Sequence, residues 1–85
     1  LVERKAIKEV ENELREATKR FPAFASPHEG YAIIKEELDE LWQEVKRNQA
    51  NQDRQIMRKE AMQVAAMAIR FMEDLCGEET KHGER

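Results

Sequence analysis

The run Glu36-Glu37-Leu38-Asp39-Glu40 puts four carboxylates within little more than one helical turn. Glu37 and Glu40 stand three apart, so on a helix they share a face. Glu60 and Gln63 repeat that spacing further along. Glu44 extends the acidic stripe in one direction, and Ile33 ends it in the other. Carboxylates held close together repel, and burial sharpens the repulsion. Such a group needs protons, a basic partner or a cation. Mg²⁺ takes oxygen ligands in an octahedron and keeps positions for water and phosphate. Bound there, it polarises phosphoryl oxygens and acidifies water. The same residues also suit an ordinary solvated surface. The chain has 18 acidic residues, so chance pairs three apart are common and spacing alone does not decide.

Three helices must position these side chains. The first is predicted from about Val2 to Arg20, with an apolar stripe of Val2, Ala6, Val10, Leu14, Ala17 and Phe21. Its other faces are charged and read as solvated. Pro22 and Pro27 mark a break. Ser26 followed by Glu29 is a capping box, so the second helix starts at Ser26 and runs to about Lys46. Its predicted seam is Tyr31, Ile34, Leu38, Leu41 and Val45, with Trp42 beside it as core or interface. The polar stretch from Asn48 to Gln52 turns the chain. A third helix follows from about Asp53 to Leu75 and stops before Gly77. From Ala61 to Met72 only Gln63 and Arg70 are polar, so this helix should be buried on several sides. Two helices of one chain hardly cover it, and Ala65, Ala66 and Ala68 would let a second chain approach closely.

The fold expected is all-α: an antiparallel bundle of about three helices per chain, completed by homo-oligomerisation. One domain spans residues 1–76, with a polar tail at 77–85. With antiparallel helices and a symmetric turn near Ala50, Glu40 stands opposite Glu60 and Glu37 opposite Gln63. A slip of one helical turn would break that pairing.

Composition narrows the function classes. The 85 residues allow one small domain. Charged residues make up 39%, and 15 basic against 18 acidic residues leave a net charge of −3. A nucleic-acid-coating protein would show a basic stripe instead. No apolar run approaches the roughly 18 residues of a membrane span. Cys76, the single cysteine, rules out a disulfide within these residues and points to a reducing, cytoplasmic setting.

The paired motif resembles the MazG-like nucleotide pyrophosphohydrolases. Glu36, Glu37 and Glu40 match that family's EExxE pattern, and Glu60 to Gln63 stands where the family has ExxD. The resemblance covers roughly Phe21 to Leu75. It implies an all-α hydrolase, packed as a homodimer or homotetramer, that clears nucleotide pools. Its substrate would be a nucleoside or deoxynucleoside triphosphate, cut with Mg²⁺ (or Mn²⁺) to the monophosphate and pyrophosphate. Carried over by position, Glu37, Glu40, Glu60 and Gln63 would be metal ligands, and Glu36 would join Glu37 in catalysis, holding a second ion or orienting water. The departure is Gln63, whose neutral amide oxygen replaces a charged ligand. The alternatives are a catalytically weakened member kept as a binding or regulatory module, and a plain helical oligomerisation domain.

Other residues have two readings each. Arg70 lies two turns after Gln63, either as a phosphate clamp or as a cation near the helix end paired with Asp74; the second is favoured. Phe21 and Phe24 could stack on a nucleobase or plug the bundle end. Arg58 and Lys59 could reach phosphate but read as solvated. Met57, Met62, Met67 and Met72 read as gap-filling core, His28 as surface and Cys76 as a passive helix-end residue.

Overall fold

In the computed structural model, residues 4–77 are described, and they form three α-helices joined by short connections. Helix α1 is Lys5–Arg20, α2 is Pro27–Val45 and α3 is Arg54–Leu75, with a 3₁₀ turn at Gln49–Asn51. No strand occurs among the described residues. Val2, the predicted start of the first helix, lies outside them, as does the predicted tail beyond Gly77. No helix among the described residues is long and apolar enough to cross a membrane.

The caps set the boundaries. The Ser26 hydroxyl accepts the Glu29 N–H at 3.1 Å, and the Glu29 carboxylate accepts the Ala25 N–H. Pro27, which has no N–H to leave orphaned, sits in the first turn. Asp53 caps α3 by accepting the N–H groups of Gln55 and Ile56. The Gln52 side-chain amide donates to the Val45 carbonyl at 2.9 Å and closes the end of α2. Lys19 and Arg20 occupy the last turn of α1, where the helix dipole favours cations.

Helix α3 packs against both α1 and α2, which do not pack on each other. The buried apolar core is small: Ala17, Phe24, Ala66 and Met67, with Val10, Ile33, Ile34, Phe71 and Leu75 packed around it. The face that α2 turns to α3 differs from the predicted seam. Ile34 and Leu41 are half-buried as expected, but Tyr31 (64% exposed), Leu38, Trp42 (56%) and Val45 are exposed. The cause is Gly30. A Cβ there would lie 2.7 Å from the Phe71 ring and 3.1 Å from both Leu75 and Phe24. With no side chain of its own, Gly30 lets the α2 backbone sit directly against the side chains of Phe71, Leu75 and Phe24, and the face around it, Gly30, Ile33, Ile34, Glu37 and Leu41, is the one α2 buries or half-buries. Two glutamates, Glu37 and Glu44, become half-buried as a result.

Other expectations need correcting. Ala6 and Phe21 are exposed at the two ends of the α1 stripe. Met67 is buried and Met57 and Met62 are half-buried, but Met72 is exposed. Ala61 and Ala68 are exposed too, so α3 is covered on the flanks its own chain reaches and open elsewhere.

Gly30→Ala should lower stability despite alanine's better helix propensity. Overpacking costs about 1–3 kcal/mol, against a propensity gain of at most about 1 kcal/mol. A urea-denaturation midpoint moving down by about 1 kcal/mol equivalent is the expected result.

Candidate metal centre

A cleft of about 560 Å³ opens where α1 and α2 diverge over α3. Helix α3 supplies Lys59, Glu60, Gln63, Met67 and Arg70; α2 supplies Glu36, Glu37 and Glu40; α1 supplies Glu13, Ala17 and Arg20. The segment between α1 and α2, from Phe21 to Phe24, forms one wall.

Glu37, Glu40 and Glu60 each present a carboxylate oxygen, and these oxygens lie within 4.8 Å of one another. Among the described residues this is the one group of three or more such side chains gathered this closely. The α2 orientation described above aims Glu37 inward, and Glu40 follows it one turn on. Glu60 reaches across from α3 to Glu40, and a hydrogen bond between the two carboxyl groups favours the protonated form of Glu60. Asp39, in the same acidic run, is turned away and taken by Lys35 at 2.8 Å; that bond and charge raise the lysine's pKa.

The acids are electrostatically loaded. Glu37 titrates above its ordinary 4.5 because burial penalises its charge, and because Glu40, Glu60, Glu36 and Glu13 add repulsion. Glu60 is raised by burial, by the charge of Glu40 and by their hydrogen bond, with Glu44 adding to it and Lys59 opposing. A cation would relieve the repulsion. Octahedral Mg²⁺ at 2.0–2.1 Å sets neighbouring ligand oxygens about 3 Å apart and opposite ones about 4 Å apart. Oxygens within 4.8 Å of one another are gathered on that scale. The donor set is all oxygen and anionic, which suits a hard divalent ion.

Raised carboxylate pKa values carry a definite sign in the metal-free chain. The folded state then holds protons more tightly than the unfolded one, so Glu37 and Glu60 contribute stability fully present below about 4.5. That contribution is lost as pH rises through their folded values. With a chelator present, wild type should therefore lose stability relative to Glu37→Gln between pH about 4.5 and about 7. Thermal melts of both chains across that range are the check. A constant difference would contradict the assignment.

Of the other sequence candidates, Glu36 is exposed and lines the cleft beside the three carboxylates without joining them. Gln63 is half-buried on the cleft floor. Arg70 is 5% exposed, and its Nη2 donates to the Pro22 carbonyl at 2.6 Å. Its guanidinium stacks 4.6 Å from the centroid of Phe24 and lies 3.7 Å from Asp74. Phe24 is 8% exposed and belongs to the core, whereas Phe21 is 54% exposed at the cleft rim beneath Arg20. Arg58 pairs with Glu9 of α1 at 2.8 Å. His28, Cys76 and Trp42 are exposed, and none of them lines the cleft.

Sequence reasoning missed Glu13, which reaches the cleft from α1 with a side chain only 18% exposed and pairs with Arg20 at 3.9 Å. The signal was present: Val10, Glu13 and Ala17 lie three and four apart, so Glu13 shares the face that Ala17 buries.

Compared with known proteins, the chain matches no protein-family model, and no curated protein or solved structure matches it.

Proposed function

We propose that this chain is a MazG-like nucleotide pyrophosphohydrolase, hydrolysing a nucleoside or deoxynucleoside triphosphate to the monophosphate and pyrophosphate with Mg²⁺ or Mn²⁺. The observation that carries this reading is the convergence of Glu37, Glu40 and Glu60 at the cleft. Those three side chains would hold the cation, and Gln63 would offer its amide oxygen. When bound, the ion supplies charge to neutralise phosphate oxygens and acidify water. Glu36 lines the same cleft and would orient a water for attack. Lys59 and Arg20 at the cleft carry the positive charge that a polyphosphate tail needs. The rest is positioning and electrostatics.

An antiparallel packing of α2 and α3 accounts for the meeting of Glu40 with Glu60. A homodimer or homotetramer accounts for the exposed row of Tyr31, Leu38, Trp42 and Val45 on α2. A small apolar core in so short a chain is commonly completed by association. The negative net charge argues against nucleic acid as a partner, and a cytoplasmic setting suits a nucleotide substrate.

Gln63 favours a second reading: a MazG-like binding or regulatory module that has lost turnover. An adaptor with no ligand is the third, and it predicts no nucleotide binding and no response to Mg²⁺. Pyrophosphate release from a panel of ribo- and deoxyribonucleoside triphosphates separates the three. Turnover establishes the enzyme. Mg²⁺-dependent thermal stabilisation without turnover favours the module, and neither effect favours the adaptor. Gln63→Asp restores a charged ligand and should tighten Mg²⁺ binding by about tenfold, in line with the electrostatic weight of one carboxylate near a cation. Calorimetric titration of both chains with Mg²⁺ reads it.

A further inference from the structure

We propose that Arg70 and Asp74 form a positioning pair that fixes segment 21–26 as a rigid wall of the cleft, and that Arg70 does not itself touch the ligand. This rests on the cleft being the substrate site argued above.

The geometry is specific. A charged guanidinium at 5% exposure must be paired and hydrogen-bonded to persist. Arg70 finds its partners in the loop and not in the open cleft: the Pro22 carbonyl at 2.6 Å and the Phe24 ring at 4.6 Å. Asp74, one turn further along α3, accepts the Phe24 N–H at 3.0 Å and stands 3.7 Å from Arg70. Two residues of α3 thus hold a carbonyl and an N–H of the segment that are two residues apart, with the Phe24 ring under the guanidinium. Phe24 also lies against the Cβ-free surface of Gly30, and Ala25 and Ser26 are held by the cap of α2. The segment has no regular secondary structure over 22–24, yet its backbone is tied at Pro22, Phe24 and Ala25. A phosphate reaching Arg70 would have to displace these partners, whereas Arg20 and Lys59 already offer exposed cations at the cleft. A wall restrained in advance lowers the ordering cost of binding.

The test uses Arg70→Lys, which keeps the charge but loses the planar fork, and Asp74→Asn, which keeps an oxygen for the Phe24 N–H but loses the charge. Three quantities are read on each chain: amide hydrogen exchange over 21–26, Mg²⁺ affinity, and kcat and KM with the best triphosphate. In Arg70→Lys, exchange at Phe24 and Ala25, whose N–H groups are hydrogen-bonded, should rise about tenfold or more, the effect of losing one charged hydrogen bond. KM should rise by a similar factor, while kcat and Mg²⁺ affinity stay within about twofold. Asp74→Asn should give the same pattern at smaller size, and it carries the test if Arg70→Lys fails to fold. Unchanged loop exchange would overturn the proposal, as would a fall in kcat at constant KM, which marks a residue touching the reacting groups. If wild type turns over no triphosphate, the functional reading falls, and the exchange measurement still decides whether the pair holds the loop.

Discussion

Glu37→Gln should abolish Mg²⁺-dependent pyrophosphate release while leaving the metal-free chain more stable near neutral pH. Both effects come from one carboxylate that is half-buried and crowded by Glu40 and Glu60. Gln keeps the shape and one oxygen but removes the charge that a hard cation needs. Residues that merely support a metal ligand typically contribute about 10–100-fold to affinity or activity. A ligand itself should matter more, so a loss of at least about 100-fold is expected. The stability effect has the opposite sign because repulsion within the cluster disappears. Mg²⁺ at about 100 times its Kd should stabilise wild type by about 2.7 kcal/mol and the variant far less. An adaptor domain without a ligand would show the gain in stability but no difference in the response to Mg²⁺.

The second large effect separates two phenylalanines three residues apart. Phe24→Ala should destabilise the chain by about 3–5 kcal/mol, the usual range for emptying a core aromatic site. The ring is 8% exposed, fills the space beside Gly30 and lies under the Arg70 guanidinium. Phe21→Ala, at 54% exposure, should change stability by less than about 0.5 kcal/mol. Chemical denaturation of the two variants beside wild type reads the contrast directly. In so small a domain about 4–8 °C of melting temperature accompanies each kcal/mol, so Phe24→Ala should be largely unfolded at moderate temperature. Equal effects of the two substitutions would mean that the segment from Phe21 to Phe24 is not packed as described.

Local chemistry made the helix limits legible. Ser26 with Glu29, and Asp53 ahead of α3, are caps whose bonds form where the residue types place them. The run Glu36 to Glu40 and the later Glu60 were legible as a cluster because helical spacing is short-range. The orientation of α2 was not, because it depends on what Gly30 meets. A period of three and four is satisfied both by Tyr31, Ile34, Leu38, Leu41 and Val45 and by Gly30, Ile33, Glu37 and Leu41, and hydrophobicity chose the first. An isolated glycine inside a helical pattern was the mark of close packing at that face. Glu13 was hidden for a related reason. On a helix covered in Glu, Lys and Arg, only the position of α1 over α3 distinguishes an inward carboxylate from a solvated one. Arg70 had both readings from spacing alone, and its partners Pro22 and Phe24 lie 48 and 46 positions away in the chain, beyond any local pattern.

Whether Glu37, Glu40 and Glu60 hold a divalent cation, as proposed, is tested most plainly by direct titration with Mn²⁺, followed by the loss of the free ion's paramagnetic resonance signal. Saturable binding that Mg²⁺ competes away, and that Glu60→Gln weakens by at least about tenfold in a chain that remains folded, is the predicted result. Absence of saturable binding, or binding that survives Glu60→Gln unchanged, would contradict it.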